Sequence, residues 1–217
     1  MSSELSALLS VAYHEPGDEH LVELVHQQDP AAPRRLASLA LDVYASDGRH
    51  LYRVDVDPEL EVLDLGEALA KHAGITDRLM VTFDTRYDER IFQHRRPHHY
   101  AFVHRRGSAA PPVYYAVNSV LGGFARRTDA VRLHNFETYL FVRRVLPQRY
   151  SLLLGNPSRF AQAEAQVVTH FGTERRTREV TIAPRAHVEV DLESAVGGEP
   201  LRRVELKSLF RLANYVV

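Results

Sequence analysis

Apolar and aromatic residues recur at alternate positions over much of the chain: Leu39, Leu41 and Val43, then Tyr52, Val54 and Val56, then Leu60 and Val62, with Leu63 and Leu65 flanking Asp64. A period of two over short segments, broken by turn residues at Asp47-Gly48 and Asp57-Pro58, predicts half-buried antiparallel strands. The one helical stretch is short, Leu65 to His72, with Gly74 placed to end it. Its counterpart later in the chain is Glu193-Ser194-Ala195-Val196, closed by Gly197-Gly198.

The layout recurs in the second half. Tyr44, Ser46, Asp47 and Arg49 match Phe171, Thr173, Glu174 and Arg176 at one constant spacing. Val54, Val56 and Pro58 match Val180, Ile182 and Pro184 at a spacing shorter by one, and Asp64-Leu65 matches Asp191-Leu192 at the first spacing again. A slip of one residue between strands is what a change in loop length produces. The recurring block of strand, turn, strand, proline and strand reads as an internal duplication. Each copy has the size of a seven- to nine-strand sandwich. The expected fold is therefore all-β, two tandem antiparallel β-sandwich domains covering residues 1–107 and 108–217. The join falls at Gly107 to Pro112, where small residues and prolines interrupt strand pairing, although a hairpin turn would suit the same residues.

The stretch from Asn156-Pro157-Ser158 through Ala163-Glu164-Ala165, Val167, Phe171, Val180-Thr181-Ile182-Ala183-Pro184 and Val188-Glu189-Val190-Asp191-Leu192 resembles the repeat of the sensory rhodopsin transducer family. That resemblance implies a small non-enzymatic β-sandwich that associates with itself and binds a partner protein or a small ligand. This chain departs from the family in being about twice as long and rich in His and Arg, so no site residue is carried over.

Charge and composition narrow the picture. Residues 1–77 hold 15 acids against 5 bases, and residues 78–217 hold 13 acids against 22 bases, so a net charge of −1 conceals −10 facing +9. Two halves of opposite sign attract within one chain or between copies. A near-neutral total argues against a dedicated nucleic-acid binder. Absence of cysteine excludes disulfides, thiolate metal sites and cysteine nucleophiles. No apolar run has the length of a membrane-spanning helix, and the first residues lack the pattern of a secretory signal, so a cytoplasmic protein is expected.

The densest chemistry lies in residues 86–106, where Arg95, Arg96 and Arg105 accompany His94, His98 and His104. Guanidinium forks suit carboxylate or phosphate oxygens, and histidines add donors. With Tyr100 and with Asn118 at the end of an apolar strand, these make a candidate ligand site of Arg95, Arg96, His98, Tyr100, His104, Arg105 and Asn118. If residues 98–104 are extended, His98, Tyr100, Phe102 and His104 share one face and His99 points to the other. A metal set would draw on His94, His98, His104, His134 and Glu137, but histidines six apart on a straight strand lie roughly 20 Å apart. Sequence motifs for serine hydrolases, phosphate loops, dinucleotide folds and zinc proteases are missing. The sequence thus favours a non-catalytic binding or assembly module without cofactor, forming a homo-oligomer and taking a protein partner or an anionic small molecule. Two alternatives stand: a β-barrel enzyme dependent on a divalent transition metal, and a binder of anions or acidic glycans.

Overall fold

A computed structural model describes residues 8–24, 28–29, 32–33, 36–70, 77–87, 99–107, 109, 112–120, 135–140, 150–193, 195–209 and 212–216. The chain divides into two units, Met1–Ala125 and Arg126–Val217. Both are built almost wholly of antiparallel strands, and no described helix is long and apolar enough to cross a membrane.

The first unit contains β1 (Leu8–His14), β2 (Asp18–Glu23), the two-residue β3 (Gln28–Asp29) and β4 (Ala32–Pro33), β5 (Leu36–Tyr44), β6 (His50–Val56) and β7 (Val62–Asp64). After these come α1 (Leu65–Ala70), β8 (Leu79–Tyr87), β9 (Tyr100–Arg105), β10 (Val113–Ala116) and β11 (Asn118–Val120). One sheet has the order β11-β1-β8-β5-β6 and the other β10-β9-β2-β7. The alternation in the sequence explains how they meet. Leu39, Leu41 and Val43 of β5 and Val81 and Phe83 of β8 point to the same interior as Val22, Leu63 and Ala101 of the other sheet. Two sheets sharing one apolar interior is the sandwich arrangement. Each such side chain taken fully out of water contributes about 1.5–3 kcal/mol.

The second unit contains β12 (Asn135–Leu140), β13 (Tyr150–Gly155), β14 (Ala163–Phe171), β15 (Glu174–Ile182), β16 (His187–Leu192), β17 (Ala195–Val196), β18 (Glu199–Ser208) and β19 (Ala213–Val216). Its sheets run β12-β18-β14-β15 and β16-β13-β19. Ala163, Ala165 and Val167 on one sheet and Leu152, Leu154, Val190 and Leu192 on the other enclose its core. With the short pairs β3/β4 and β17 set aside, the two units share a strand order. In each, the first, sixth, third and fourth strands form one sheet, and the fifth, second and seventh form the other, with β10 and β11 added in the first unit.

Residue by residue the likeness is uneven. Asp64-Leu65 and Asp191-Leu192 hold equivalent facing, since Leu63, Leu65, Val190 and Leu192 all enter their cores. The match of Tyr44 to Phe171 does not: it sets Leu41, a core residue, against Val168, which lies outside its unit's core cluster. Phe171 instead continues the inward parity of Ala163, Ala165 and Val167, and the irregularity between His170 and Phe171 belongs to the pairing with β18.

Two expectations change and a third holds. Residues 107–112 do not separate the units, because β10 pairs with β9 from Val113↔Val103 to Ala116↔Tyr100 and so closes a hairpin within the first unit. The division falls after Ala125. The helix counterpart at residues 193–196 is instead a tight hairpin: Ala195 and Val196 pair with Pro200 and Glu199 across Gly197 and Gly198, whose φ of 58° and 85° suit glycine and a two-residue turn. The helix α1 does form, its first turn capped by Asp64, whose Oδ1 accepts the Glu67 N–H at 2.9 Å.

The turn after β13 is fixed by Asn156, which is 1% exposed. Its Nδ2 donates to the carbonyls of Ala161, Ile182 and Ala183 at 2.8, 3.1 and 3.2 Å, and its Oδ1 accepts the Ser158 N–H at 3.0 Å. One side chain thereby ties the end of β13 to the end of β15 and to the loop that leads into β14.

Candidate functional site

On β2 and β9 the strand pleat sorts side chains cleanly. His20 and Val22 go inward with Ala101, while Glu19, Leu21 and Glu23 share the outer face with Tyr100, Phe102 and His104. Register carries this face across four strands, for Tyr114 of β10 lies opposite Phe102, Phe102 opposite Leu21, and Leu21 opposite Asp64 of β7. Val62 lies opposite Glu23 and is 51% exposed. Tyr100 and Tyr114 stack at 5.6 Å with their planes within 4°. The Tyr114 hydroxyl donates to Glu23 Oε2 at 3.2 Å, which tethers the ring while leaving it 62% exposed. The result is an aromatic and aliphatic row with carboxylates beside it.

Of the residues singled out from sequence, Tyr100 and His104 stand on this face, as the alternation required. His99 points inward, 2% exposed, with its Nε2 3.3 Å from Thr85 Oγ1. His104 Nδ1 lies 3.8 Å from Glu19 Oε2. Arg105 is on the opposite parity and is fully engaged: Nη2 donates to Glu15 Oε2 at 2.6 Å, and Nε lies 3.6 Å from Asp18 Oδ1. Arg78 donates to the same Glu15 oxygen at 2.7 Å. Bases from the positive half of the sequence therefore meet acids of the negative half inside one unit. Asn118 falls in β11, paired with Val11 of β1, and Glu137 falls in β12, opposite Leu206 of β18. Arg95, Arg96, His94, His98 and His134 lie outside the described residues. Among the described residues, no three His, Asp or Glu side chains are grouped closely enough to hold a metal ion.

Two histidines outside that candidate set form the most unusual interior feature. His14 and His20 are 4% and 0% exposed, and their rings stack at 5.6 Å. They sit at inward positions of β1 and β2, two residues from Ala12 and Val22 respectively. Burial holds both in the neutral form. For His14 desolvation outweighs the opposing pull of Asp18, Asp64 and Glu15. For His20 desolvation, reinforced by repulsion from His14, takes the pKa down to about 4. Tyr115 Oη is 3.4 Å from His20 Nε2, whereas Nδ1 of each histidine has no hydrogen-bond partner among the described residues.

On the outer side of the five-stranded sheet, Arg53 bridges Asp42 and Asp84 at 2.7 and 3.2 Å, and His50 adds a 3.1 Å contact to Asp42. These charges satisfy one another and need no ligand to explain them.

Fold and surface together define an all-β protein with two sheet-on-sheet units, the first carrying an exposed aromatic face. No protein-family model matches the chain, and comparison with curated proteins gives no match.

Proposed function

We propose that this protein is a non-catalytic β-sandwich module that assembles with a second copy of itself through β10 and the aromatic face beside it. The observation that carries this reading is the chemistry of β10. Among the described residues it ends its sheet, its sequence Val113-Tyr114-Tyr115-Ala116 has no charge, and Val113 and Tyr114 are 59% and 62% exposed. An edge strand presents unpaired backbone donors and acceptors, and proteins that avoid edge-to-edge association place charges there. A two-fold pairing of β10 with its copy would extend the sheet and bring two aromatic faces together. The reading agrees with the self-associating, non-enzymatic sandwich that the resemblance of residues 156–192 implies. The shared strand order of the units supports an internal duplication behind it, and a cysteine-free chain is in keeping with the cytoplasm.

An anion site centred on Arg105 is disfavoured by its bonds to Glu15 and Asp18, which an incoming anion would have to replace.

Light scattering coupled to size exclusion provides the test. A dimer that dissociates on dilution is expected, with Tyr114→Lys weakening association at least about tenfold through loss of the aromatic contact and charge on the edge. A monomer across the whole concentration range, or a dimer indifferent to Tyr114→Lys, overturns the reading.

A further inference from the structure

A cleft of about 530 Å³ opens at one end of the first unit, walled by the β1–β2 turn, the start of α1 and the beginning of β8. Its lining includes four carboxylates, those of Asp18, Glu19, Asp64 and Glu67, with Arg106 as the one Lys or Arg among the described lining residues. Asp18 and Glu19 have Arg105 and His104 as neighbours of opposite charge, the latter when protonated. Asp64 and Glu67 have no ion-pair partner among the described residues, where the Asp64 carboxylate accepts only the helix-cap bond at Oδ1. Negative charge is therefore left over on the α1 side.

Two further observations point the same way. His14 belongs to the wall, is 4% exposed, and keeps an unpartnered Nδ1. A buried imidazole nitrogen without a partner is costly unless something completes it. In addition, a Cβ on Gly66 would lie 3.3 Å from Asp64 Oδ1, 3.5 Å from the Asp18 carbonyl oxygen and 3.8 Å from His14 Cε1. The missing side chain leaves open the space on which two oxygen acceptors and the imidazole converge. Leu69, Leu79 and Tyr52 supply hydrocarbon beside it. An ammonium group offers three donors and a full charge to such acceptors. A directly ligated metal ion fits less well, since among the described residues no three ligand side chains come together.

We infer that this cleft binds a small organic cation, a primary ammonium on a short aliphatic body, with Asp64 and Glu67 as counter-charges and Gly66 keeping the seat open. The site is independent of self-assembly at β10.

Calorimetric titration of the full-length protein with 1,4-diaminobutane, against 1,4-butanediol as the uncharged control, tests it. Saturable binding of the diamine and none of the diol is expected. Asp64→Asn, which retains the helix cap, and Glu67→Gln, which is exposed, should each weaken binding about tenfold. Gly66→Ala should weaken it by at least as much while the melting temperature of the unliganded protein holds. No saturable binding of the diamine, equal binding of the diol, or unchanged affinity in both carboxylate variants overturns the proposal. Should Gly66→Ala disturb folding, the two carboxylate variants decide alone.

Discussion

The two units place their core strands in the same order, yet two strands that end sheets among the described residues, β10 of the first and β15 of the second, differ sharply in chemistry. In the first, β10 is four residues long and uncharged, with Val113 and Tyr114 exposed. In the second, the edge β15 is nine residues long and carries Glu174, Arg175, Arg176, Arg178 and Glu179, with Arg176 braced by Glu174 and Glu193. Length alone would make β15 the stronger template for pairing, yet its charges oppose it. The units differ in a second respect, the polar groups they bury. The second buries Asn156, which makes four hydrogen bonds, and the first buries two stacked, neutral histidines. Strand order fixes where a core can form. Edge chemistry and buried polar groups determine what each unit can do beyond folding.

The contrast can be broken at Asn156 most forcefully. Asn156→Ala would remove four hydrogen bonds from a buried turn, and a loss of about 4 kcal/mol is expected in the second unit. Denaturant unfolding followed through a fluorescent reporter placed in each unit should show the change in the second and not the first.

Acid should act in the reverse sense. His20 has a pKa of about 4 in the folded chain against an ordinary 6.5, so the unfolded state takes up its proton first as the pH falls. Stability is full above about pH 6.5 and declines to about pH 4, by about 3 kcal/mol for this one group. The stacked His14 is shifted in the same direction and adds to the slope. Unfolding curves of wild type and His20→Phe between these pH values would test it, since the variant should lose most of the slope. Equal slopes would show that the histidine pair is not what acid attacks.

The smallest effect on folding, and the sharpest on the edges, is expected from the double substitution of Arg175 and Arg178 by Val in β15. Both are exposed, so the melting temperature should move by no more than about 2 °C. Association should rise, because the edge would lose its charge protection. Sedimentation velocity would show a new dimer or larger species; none would mean that charge does not govern this edge.

What could be read from the sequence follows the range of the forces involved. Local alternation gave the inward set Leu39, Leu41 and Val43 and the common face of Tyr100, Phe102 and His104, because a strand's pleat is a property of neighbouring residues. The start of α1 was equally local, and the structure adds Asp64 as its cap. The sheet that each strand joins was not legible. β1 and β2 are joined by a short turn yet enter different sheets, a choice made by distant partners such as β8 and β9. The hairpin between β9 and β10, weighed against a join of domains, and that at Gly197-Gly198 escape local reading for a related reason. Prolines and glycines mark a break in regular structure without saying whether the chain turns back, leaves a domain or ends a helix. Even spacing put His14 in line with Ala12 and His20 in line with Val22. Only closure of the two sheets brings the rings together.

Asn156 has a consequence for the molecule's lifetime. Asparagine side chains age when the next residue's backbone nitrogen attacks the amide and closes a five-membered imide, which later opens to a carboxylate. The next residue here is Pro157, whose nitrogen carries no hydrogen and is poorly suited to that attack. The leaving amide is also held by three carbonyls in a buried turn. The residue on which the second unit depends most for its turn is thus shielded from the commonest spontaneous damage to its type, and old protein should keep this junction as intact as new.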